Sequence, residues 1–383
     1  MNPIKVLVVD DSVFMRSTIS KIITCDEIQV IDTASNGRDA VEKAARLNPD
    51  LITMDIEMPI MNGLEALKII METHPIPTLM VSTLTGEGAE ATIEALSIGA
   101  IDFITKKPAF TEMHSMKDDL IDKILTIGRS NQIRNQLRRR SQLLQMKKAM
   151  KKDDIPESLA KTMTQKLAEK AKQKPATIVL ASDRPRPKAK DIDIIAIGIS
   201  TGGPVALYDL ISHLPGNIPV PIIIAQHMPP YFTKTLAERL NASSALNVKE
   251  ASDGDKLLPG WVYLAPGGKQ MRVTRKNTLL INDDPIEELY KPSVNIMISS
   301  VADVYRSGGI GIIMTGMGHD GREGIRKLNQ AGGYAISQDI ESCVVPGMPR
   351  SIIDAQLANE IHSLGDMPNA ICSLFGLNTA ERR

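Results

Sequence analysis

The chain has 383 residues, with 45 Lys and Arg against 45 Asp and Glu, so its formal net charge is zero at pH 7. This balance argues against nucleic-acid binding and against direct binding to a charged membrane surface. Its three cysteines lie far apart without a CxxC pair, and its start has no signal-peptide pattern, so we expect a cytoplasmic protein without a thiolate metal site.

Residues 1–128 alternate between short apolar runs and stretches with helical spacing. The runs are unbroken, which favours parallel strands covered on both faces. The predicted strands are 4–9, 51–54, 77–82 and 101–105, and the predicted helices include 37–48 and 62–74. This alternation predicts a doubly wound α/β domain.

Acidic residues follow two of these strands. Asp10 and Asp11 come directly after the first, and Asp55 ends the run 51–54. The carboxyl ends of parallel strands share one edge of a sheet, and three carboxylates there repel one another unless they share a cation such as Mg²⁺. The alternative is that they are helix caps and loop acids. Ser82 ends the predicted strand 77–82 and Thr83 follows it, each with a hydroxyl group, and Lys106 follows 101–105 with an ammonium group. These groups beside the acids favour a phosphoryl site over helix caps.

The first segment then resembles a known family over its whole length. The stretches "VLVVDDSVFMR", "ITMDIEMPIMNGLEAL", "MVSTLTGEG" and "GAIDFITKKP" resemble two-component receiver domains, which are flavodoxin-like. The resemblance implies these roles: Asp55 as phospho-acceptor, Asp10 and Asp11 as Mg²⁺ ligands beside Asp55, Ser82 with Thr83 as switch hydroxyls, and Lys106 as the phosphate-sensing lysine.

One departure concerns that lysine. Receivers carry it directly before a proline, whereas "KKP" inserts a residue. Counting from "GAIDF" gives Lys106, and counting back from Pro108 gives Lys107. The strand register favours Lys106.

Residues 129–190 differ in composition from the segments on either side. The stretch 134–152 has eight Lys and Arg and no acid, and 182–190 is rich in Pro and charge. A docking surface for an acidic partner or for a membrane surface is one interpretation, and a solvated basic linker is the one we favour.

Residues 191–378 again alternate between apolar runs and helical stretches. The predicted strands are 193–198, 219–225, 260–265, 308–315 and 333–337, with a hairpin over 269–283 and a helix over 201–214. We therefore expect a second doubly wound α/β domain, Rossmann-like with a mostly parallel sheet.

A serine, a histidine and an aspartate follow three of these strands. Ser200 lies in "GISTGGP", His227 in "AQHMPP" and Asp320 in "TGMGHDG". A nucleophile, a base and an orienting acid need this convergence. Alternatively, Ser200 and Asp320 are the N-caps of helices over 201–214 and 321–330, and His227 is an ordinary loop histidine. His319 is a rival base, which we place at the rim.

Backbone N–H groups near the serine are candidates for an oxyanion hole. The N–H of Thr201 lies at a predicted helix N-terminus, and Met317 supplies a second candidate. A phosphate loop for a dinucleotide is the competing interpretation of "GISTGGP". It predicts an acid about twenty residues on at a strand end, and "NIPVPIIIAQHM" has none.

Six motifs of this segment resemble the catalytic domain of the chemotaxis protein-glutamate methylesterases, the CheB family: "GISTGGP", "AQHMPPYFT", "LAPGGKQM", "KPSVNIMISSVA", "GIIMTGMGHDG" and "SCVVPGMP". The resemblance implies hydrolysis of glutamate γ-methyl esters on chemoreceptors, and deamidation of selected glutamines, through an acyl-Ser200 intermediate. It implies Mg²⁺ in the receiver and no cofactor for the esterase.

It also implies a histidine kinase as phosphodonor, activation by phosphorylation at Asp55, contact with membranes only through receptors, and a monomer. The remaining alternative is a response regulator whose second domain binds a partner without catalysis.

Overall fold

The protein is described by a computed structural model covering residues 2–106, 113–130, 133–135, 137–138, 142, 178–179 and 184–380. Most of the predicted linker, including the basic stretch 143–152, lies outside the described residues. Within the described part, no helix is long and apolar enough to cross a membrane.

The first sheet has five parallel strands in the order β2-β1-β3-β4-β5. Its strands are β1 (Ile4–Val9), β2 (Ile28–Ala34), β3 (Leu51–Asp55), β4 (Thr78–Ser82) and β5 (Asp102–Thr105). Its helices are α1 (Val13–Ile23), α2 (Gly37–Leu47), α3 (Gly63–Thr73), α4 (Gly86–Ile98) and α5 (Met113–Gly128). The order has the strand reversal typical of doubly wound domains, whose ligands bind beyond the carboxyl ends of the strands.

Local sequence signals start two of these helices. Asn36 accepts a hydrogen bond from the N–H of Asp39 and caps α2. Asn62 and Glu65 form a reciprocal capping box at the start of α3. Strands β3 and β4 are buried along their whole length, which explains why their sequences are apolar without alternation.

The second sheet has eight strands in the order β6-β15-β14-β13-β7-β8-β10-β9. The pairs are parallel except β6–β15, and a separate antiparallel hairpin is formed by β11 and β12. The strands are β6 (Ile178–Val179), β7 (Ile194–Ile199), β8 (Ile222–Gln226), β9 (Asn247–Glu250), β10 (Trp261–Leu264), β11 (Gln270–Val273), β12 (Leu279–Asn282), β13 (Gly309–Ile313), β14 (Tyr334–Gln338) and β15 (Glu360–His362).

Six α-helices of the described residues accompany this sheet, and the apolar core lies between them and the central strands. They are α6 (Gly203–Ser212), α7 (Phe232–Ser243), α8 (Val294–Tyr305), α9 (Arg322–Gln330), α10 (Gly347–Asp354) and α11 (Met367–Leu374). Strands β7, β8 and β13 are neighbours, so their carboxyl ends place residues 200, 227 and 315–320 along one edge. The helix predicted from residue 201 begins later, at Gly203.

The end of the predicted linker lies against this second sheet. Arg184 donates a hydrogen bond to the carbonyl of Asn329. Arg186 forms a forked ion pair with the buried Glu360, at 2.8 Å from Nε to Oε1 and 3.0 Å from Nη2 to Oε2. Tyr334 and His362 also contact the Glu360 carboxylate, each at 2.7 Å. Residues 184–186 are therefore anchored to the second domain.

The Glu360 carboxylate responds to these partners. Burial raises its pKa, but hydrogen bonds from His362 and Tyr334 and the charge of Arg186 outweigh burial, so the pKa lies below its usual 4.5. A carboxyl group with a lowered folded-state pKa stabilises the fold above its unfolded pKa and loses that contribution as the pH falls below it.

We expect Arg186→Met to lower the free energy of unfolding of the second domain by only about 1 kcal/mol at pH 7, since Arg186 is partly exposed to solvent. The difference from wild type should narrow as the pH falls below 4.5, because Glu360 becomes protonated. Calorimetry of the full chain over pH 3–7 measures both effects. Arg326→Met, which removes a surface pair with Glu323, is the control. An equal effect of both substitutions would contradict the prediction.

Candidate active site and phosphorylation site

Ser200 lies in a tight turn between β7 and α6. Its N–H donates to the carbonyl of Thr315 at 2.9 Å, and its own carbonyl accepts from the N–H of Gly203 at 2.7 Å and from Gln226 Nε2 at 3.0 Å. Gly202 is the N-cap of α6 and has a φ of 77°, a left-handed conformation that favours glycine. Ser200 is therefore not the cap of this helix, and its backbone is held on three sides.

Gly316 lets the loop after β13 approach the serine closely. A Cβ placed on Gly316 would lie 2.8 Å from Cβ of Ser200 and 2.3 Å from Sδ of Met348, which no real side chain tolerates. Thr201 is buried, and Met317, in the loop after β13, is half-buried. Their assignment as oxyanion donors stays a prediction.

His227 and Asp320 form a direct pair. Nε2 of His227 lies 2.8 Å from Oδ2 of Asp320, and both side chains are largely buried. Asp320 does not cap α9, whose N-cap is Gly321. It instead accepts from the backbone N–H groups of Val294 at 2.7 Å and Asn295 at 2.8 Å, at the start of α8.

The environment of Asp320 keeps its carboxylate charged. Burial raises its pKa, but the bond and charge of His227 and the N–H groups of Asn295 and Val294 lower the pKa further than burial raises it. The N-terminus of α8 also carries a partial positive charge that favours an anion. A carboxylate in this state can hold the imidazole in one tautomer and stabilise its protonated form.

The two helices next to Asp320 cap each other reciprocally. Asp320 precedes α9 but accepts hydrogen bonds at the start of α8. Asn295 belongs to α8, and its Oδ1 accepts from the N–H groups of Gly321 at 3.0 Å and Gly324 at 2.9 Å, at the start of α9. The residues at the starts of the two helices thus exchange acceptors: Asp320, just before α9, accepts at α8, and Asn295 of α8 accepts at α9.

The ring of Tyr290 covers one face of His227. The two ring centroids are 4.3 Å apart, and the planes differ by only 2°. The hydrogen bond to Asp320 fixes one atom of the imidazole, and the stacked ring fixes its plane.

Ser200 and His227 share this edge of the sheet, but no hydrogen bond joins Ser200 Oγ to the imidazole among the described residues. Hydroxyl–base contacts of this kind are often long before a substrate is bound. Since Nε2 faces Asp320, Nδ1 is the nitrogen available to act as a base. The rival His319 is exposed.

The first domain brings its three predicted acids together. Carboxylate oxygens of Asp10, Asp11 and Asp55 lie within 4.8 Å of one another, with Asp10 and Asp55 buried and Asp11 exposed. Lys106 Nζ lies 2.7 Å from Asp55 and 3.0 Å from Asp10. This oxygen-rich donor set fits a hard divalent cation.

The charges in this cluster shift its protonation. Burial raises the pKa of Asp55 to about 6, Lys106 opposes that rise, and the nearby Asp10 adds to it. Burial lowers the pKa of Lys106, but the bond and charge of Asp55 outweigh burial, so that pKa is raised.

The remaining predicted receiver residues lie at the same edge. Ser82 ends β4 and is buried, and its carbonyl accepts from the N–H of Lys106 at 2.7 Å. Thr83 follows, with its hydroxyl 3.3 Å from that of Thr85. The alternative lysine, Lys107, lies outside the described residues.

Several residues of the second site were not predicted. They are Gln226, which holds the Ser200 carbonyl, Tyr290, which stacks on His227, and Ser293 and Asn295, which contact Asp320. An N-cap signal could have identified two of them. Ser293 is the N-cap before the apolar run of α8, and Asn295 lies in the first turn of that helix.

Family models of known proteins match this chain in both of its domains. The family model described as CheB methylesterase matches residues 195–371, and that of the response regulator receiver domain matches residues 6–118. A protein-glutamate methylesterase/protein-glutamine glutaminase of Desulfitobacterium hafniense is 42% identical, with 97% of each chain covered. One from Pseudoalteromonas translucida is 45% identical, with 93% of this chain and 95% of the relative covered.

Two solved structures from Thermotoga maritima are also similar. The CheB methylesterase catalytic domain is 41% identical, with 48% of this chain and 98% of that chain covered and a TM-score of 0.46. The CheB response regulator domain is 51% identical, with 32% and 93% covered and a TM-score of 0.30. The near full-length relatives support the hydrolase over a non-catalytic output domain. The chain therefore belongs to the CheB family of response regulators, in which a receiver domain precedes a methylesterase domain.

Proposed function

We propose that this chain hydrolyses glutamate γ-methyl esters on chemoreceptors, deamidates selected receptor glutamines, and is activated by phosphorylation of Asp55. The observation that supports this most directly is the His227–Asp320 pair, whose acid is held by three donors beside the Ser200 turn. A phosphate-binding loop would not need such a pair.

In the first half of the reaction, Ser200 Oγ attacks the ester carbonyl carbon while Nδ1 of His227 takes the hydroxyl proton. Asp320 accepts the hydrogen bond from Nε2–H and stabilises the imidazolium that forms. The N–H groups predicted as donors, those of Thr201 and Met317, would stabilise the charge that develops on the carbonyl oxygen. The C–O bond to methanol then breaks, and the imidazolium gives its proton to the departing methoxide oxygen.

In the second half, a water molecule repeats the sequence in reverse. The water oxygen attacks the carbonyl carbon of the acyl-Ser200 ester, and His227 takes a proton from the water as it attacks. The bond to Ser200 Oγ breaks, and that oxygen recovers the proton. The products are glutamate, methanol and free enzyme. With a glutamine substrate, ammonia leaves in place of methanol.

The receiver supplies the regulation. Asp10, Asp11 and Asp55 would hold Mg²⁺, which supplies charge neutralisation for a phosphoryl group. Asp55 is the acceptor of that group from a histidine kinase, and Lys106 and the hydroxyls of Ser82 and Thr83 respond to it. The proposed setting is the cytoplasm, with the protein a monomer that reaches membranes through its receptor substrates.

The test of regulation is methanol release from methylated receptor membranes with and without acetyl phosphate as a small-molecule phosphodonor. We expect stimulation of wild type in the presence of Mg²⁺, because phosphorylation shifts the chain toward its active state. Asp55→Ala should retain basal release and lose the stimulation.

Asp26→Ala, at an exposed position in the same domain, should respond like wild type. Stimulation that persists in Asp55→Ala would show that the phosphodonor acts elsewhere.

A further inference from the structure

The segment 290–295 contacts both members of the His227–Asp320 pair. At its start, the Tyr290 ring stacks on the imidazole. At its end, Ser293 Oγ donates to Asp320 Oδ1 at 3.2 Å, and the N–H groups of Val294 and Asn295 donate to the same carboxylate. Any shift of this segment therefore moves the base and the acid together.

A single buried amide holds this segment at two points. Gln270 lies at the start of β11 and is fully buried. Its Nε2 donates to the carbonyl of Tyr290 at 2.8 Å, and its Oε1 accepts from the N–H of Ser293 at 2.8 Å. The two partners have opposite polarity, so only one orientation of the amide satisfies both.

Two residues, Lys291 and Pro292, lie between these two points. Pro292 has no N–H to donate, and the carbonyl of Lys291 accepts from the N–H of Gly268 at 3.0 Å. Gln270 thus joins Tyr290, which stacks on His227, to Ser293, which contacts Asp320.

We propose that Gln270 is a positioning residue for the triad, acting through Tyr290 on the plane of His227 and through Ser293 on the location of Asp320. The proposal rests on the proposed function, because it assumes that His227 is the base. It assigns Gln270 no contact with substrate. Its loss should therefore lower kcat and leave KM nearly unchanged.

The first experiment compares wild type with Gln270→Met, which keeps the side-chain length and removes both hydrogen bonds. We expect kcat for methanol release to fall about 100-fold, the size of effect that a displacement of about 1 Å produces in a catalytic constellation. The rate of Ser200 labelling by a fluorophosphonate probe should fall in parallel.

The matched control is Asn359→Leu. Asn359 is another buried amide of the same domain, and its Oδ1 accepts from the N–H of Ala335 at 2.7 Å, away from the triad. We expect this variant to unfold at a lower temperature while its folded molecules keep wild-type kcat. Equal losses of kcat in Asn359→Leu and Gln270→Met would reduce Gln270 to a stabilising residue and overturn the proposal.

A second variant covers the case in which Gln270→Met does not fold. Gln270→Glu retains an acceptor for Ser293 and loses the donor to Tyr290. Its effect on the labelling rate should largely disappear in a Tyr290→Leu background, because the missing bond acts through that ring. If the losses of labelling rate from Gln270→Glu and Tyr290→Leu multiply in full in the double variant, the proposed route through Tyr290 is contradicted.

Methanol release and Ser200 labelling together separate this inference from the proposed function. If wild type releases no methanol but its Ser200 still reacts with the probe, the proposed substrate is wrong, and the labelling rates still test Gln270. If wild type is fully active and Gln270→Met matches it in both readouts, the function stands and the positioning role fails.

Discussion

Ser200→Ala is expected to lower methanol release by about 10⁶-fold, the loss found when the nucleophile of a serine triad is removed. The fold should be unaffected, because the interactions of Ser200 in this structure are made by its backbone N–H and carbonyl. Alanine retains both groups and fits the space beside Gly316. The measurement is methanol release per folded molecule on methylated receptor membranes.

His227→Ala should show a loss of similar size, since the serine loses its base. Ser373→Ala is the control, because Ser373 is exposed and its hydroxyl donates to the carbonyl of Ala370 within α11. The control should keep wild-type activity. Retained hydrolysis in Ser200→Ala or in His227→Ala would remove that residue from the triad.

Asp320→Ala should lower both activity and stability. Activity should fall by about 10⁴-fold, because the imidazole loses the carboxylate that sets its tautomer. The free energy of unfolding should fall by roughly 2–3 kcal/mol, because the N–H groups of Val294 and Asn295 and the hydroxyl of Ser293 lose a buried acceptor. Kinetics and calorimetry on the same preparation measure the two losses.

Asp320→Asn separates these two roles. It keeps one acceptor oxygen for the start of α8 and removes the charge that supports the imidazolium. We expect nearly the same kinetic loss with a smaller loss of stability. An Asp320→Asn variant with wild-type kcat would show that the hydrogen bond to His227 is structural and that the base is supported elsewhere.

The central strands could be predicted from sequence because burial on both faces leaves an unbroken apolar run. Strands β3, β4, β7 and β13 are of this kind. Strand β2 is partly exposed, and β9 and β15 are short. In a short or partly exposed strand, a few polar residues are enough to obscure the apolar pattern. Our sequence prediction omitted all three strands.

The residues at the strand ends were predictable for a related reason. Topology alone brings Ser200, His227 and the Asp320 loop to one edge, and brings the acids of the receiver to another. Gln270 and Tyr290 come from the hairpin and from the loop after it. No rule of strand order places these two residues beside the imidazole, and their contacts depend on side-chain packing that a periodic pattern does not encode.

The reciprocal capping of α8 and α9 affects how relatives of this chain should be interpreted. Because Asp320 also completes a helix terminus, a relative that has lost catalysis would still be selected to retain an acid there. An aspartate at this position is thus weak evidence that a homologue is an active enzyme. The Ser200 hydroxyl carries no such structural load, so its loss would be the earlier and more reliable mark of a pseudoenzyme.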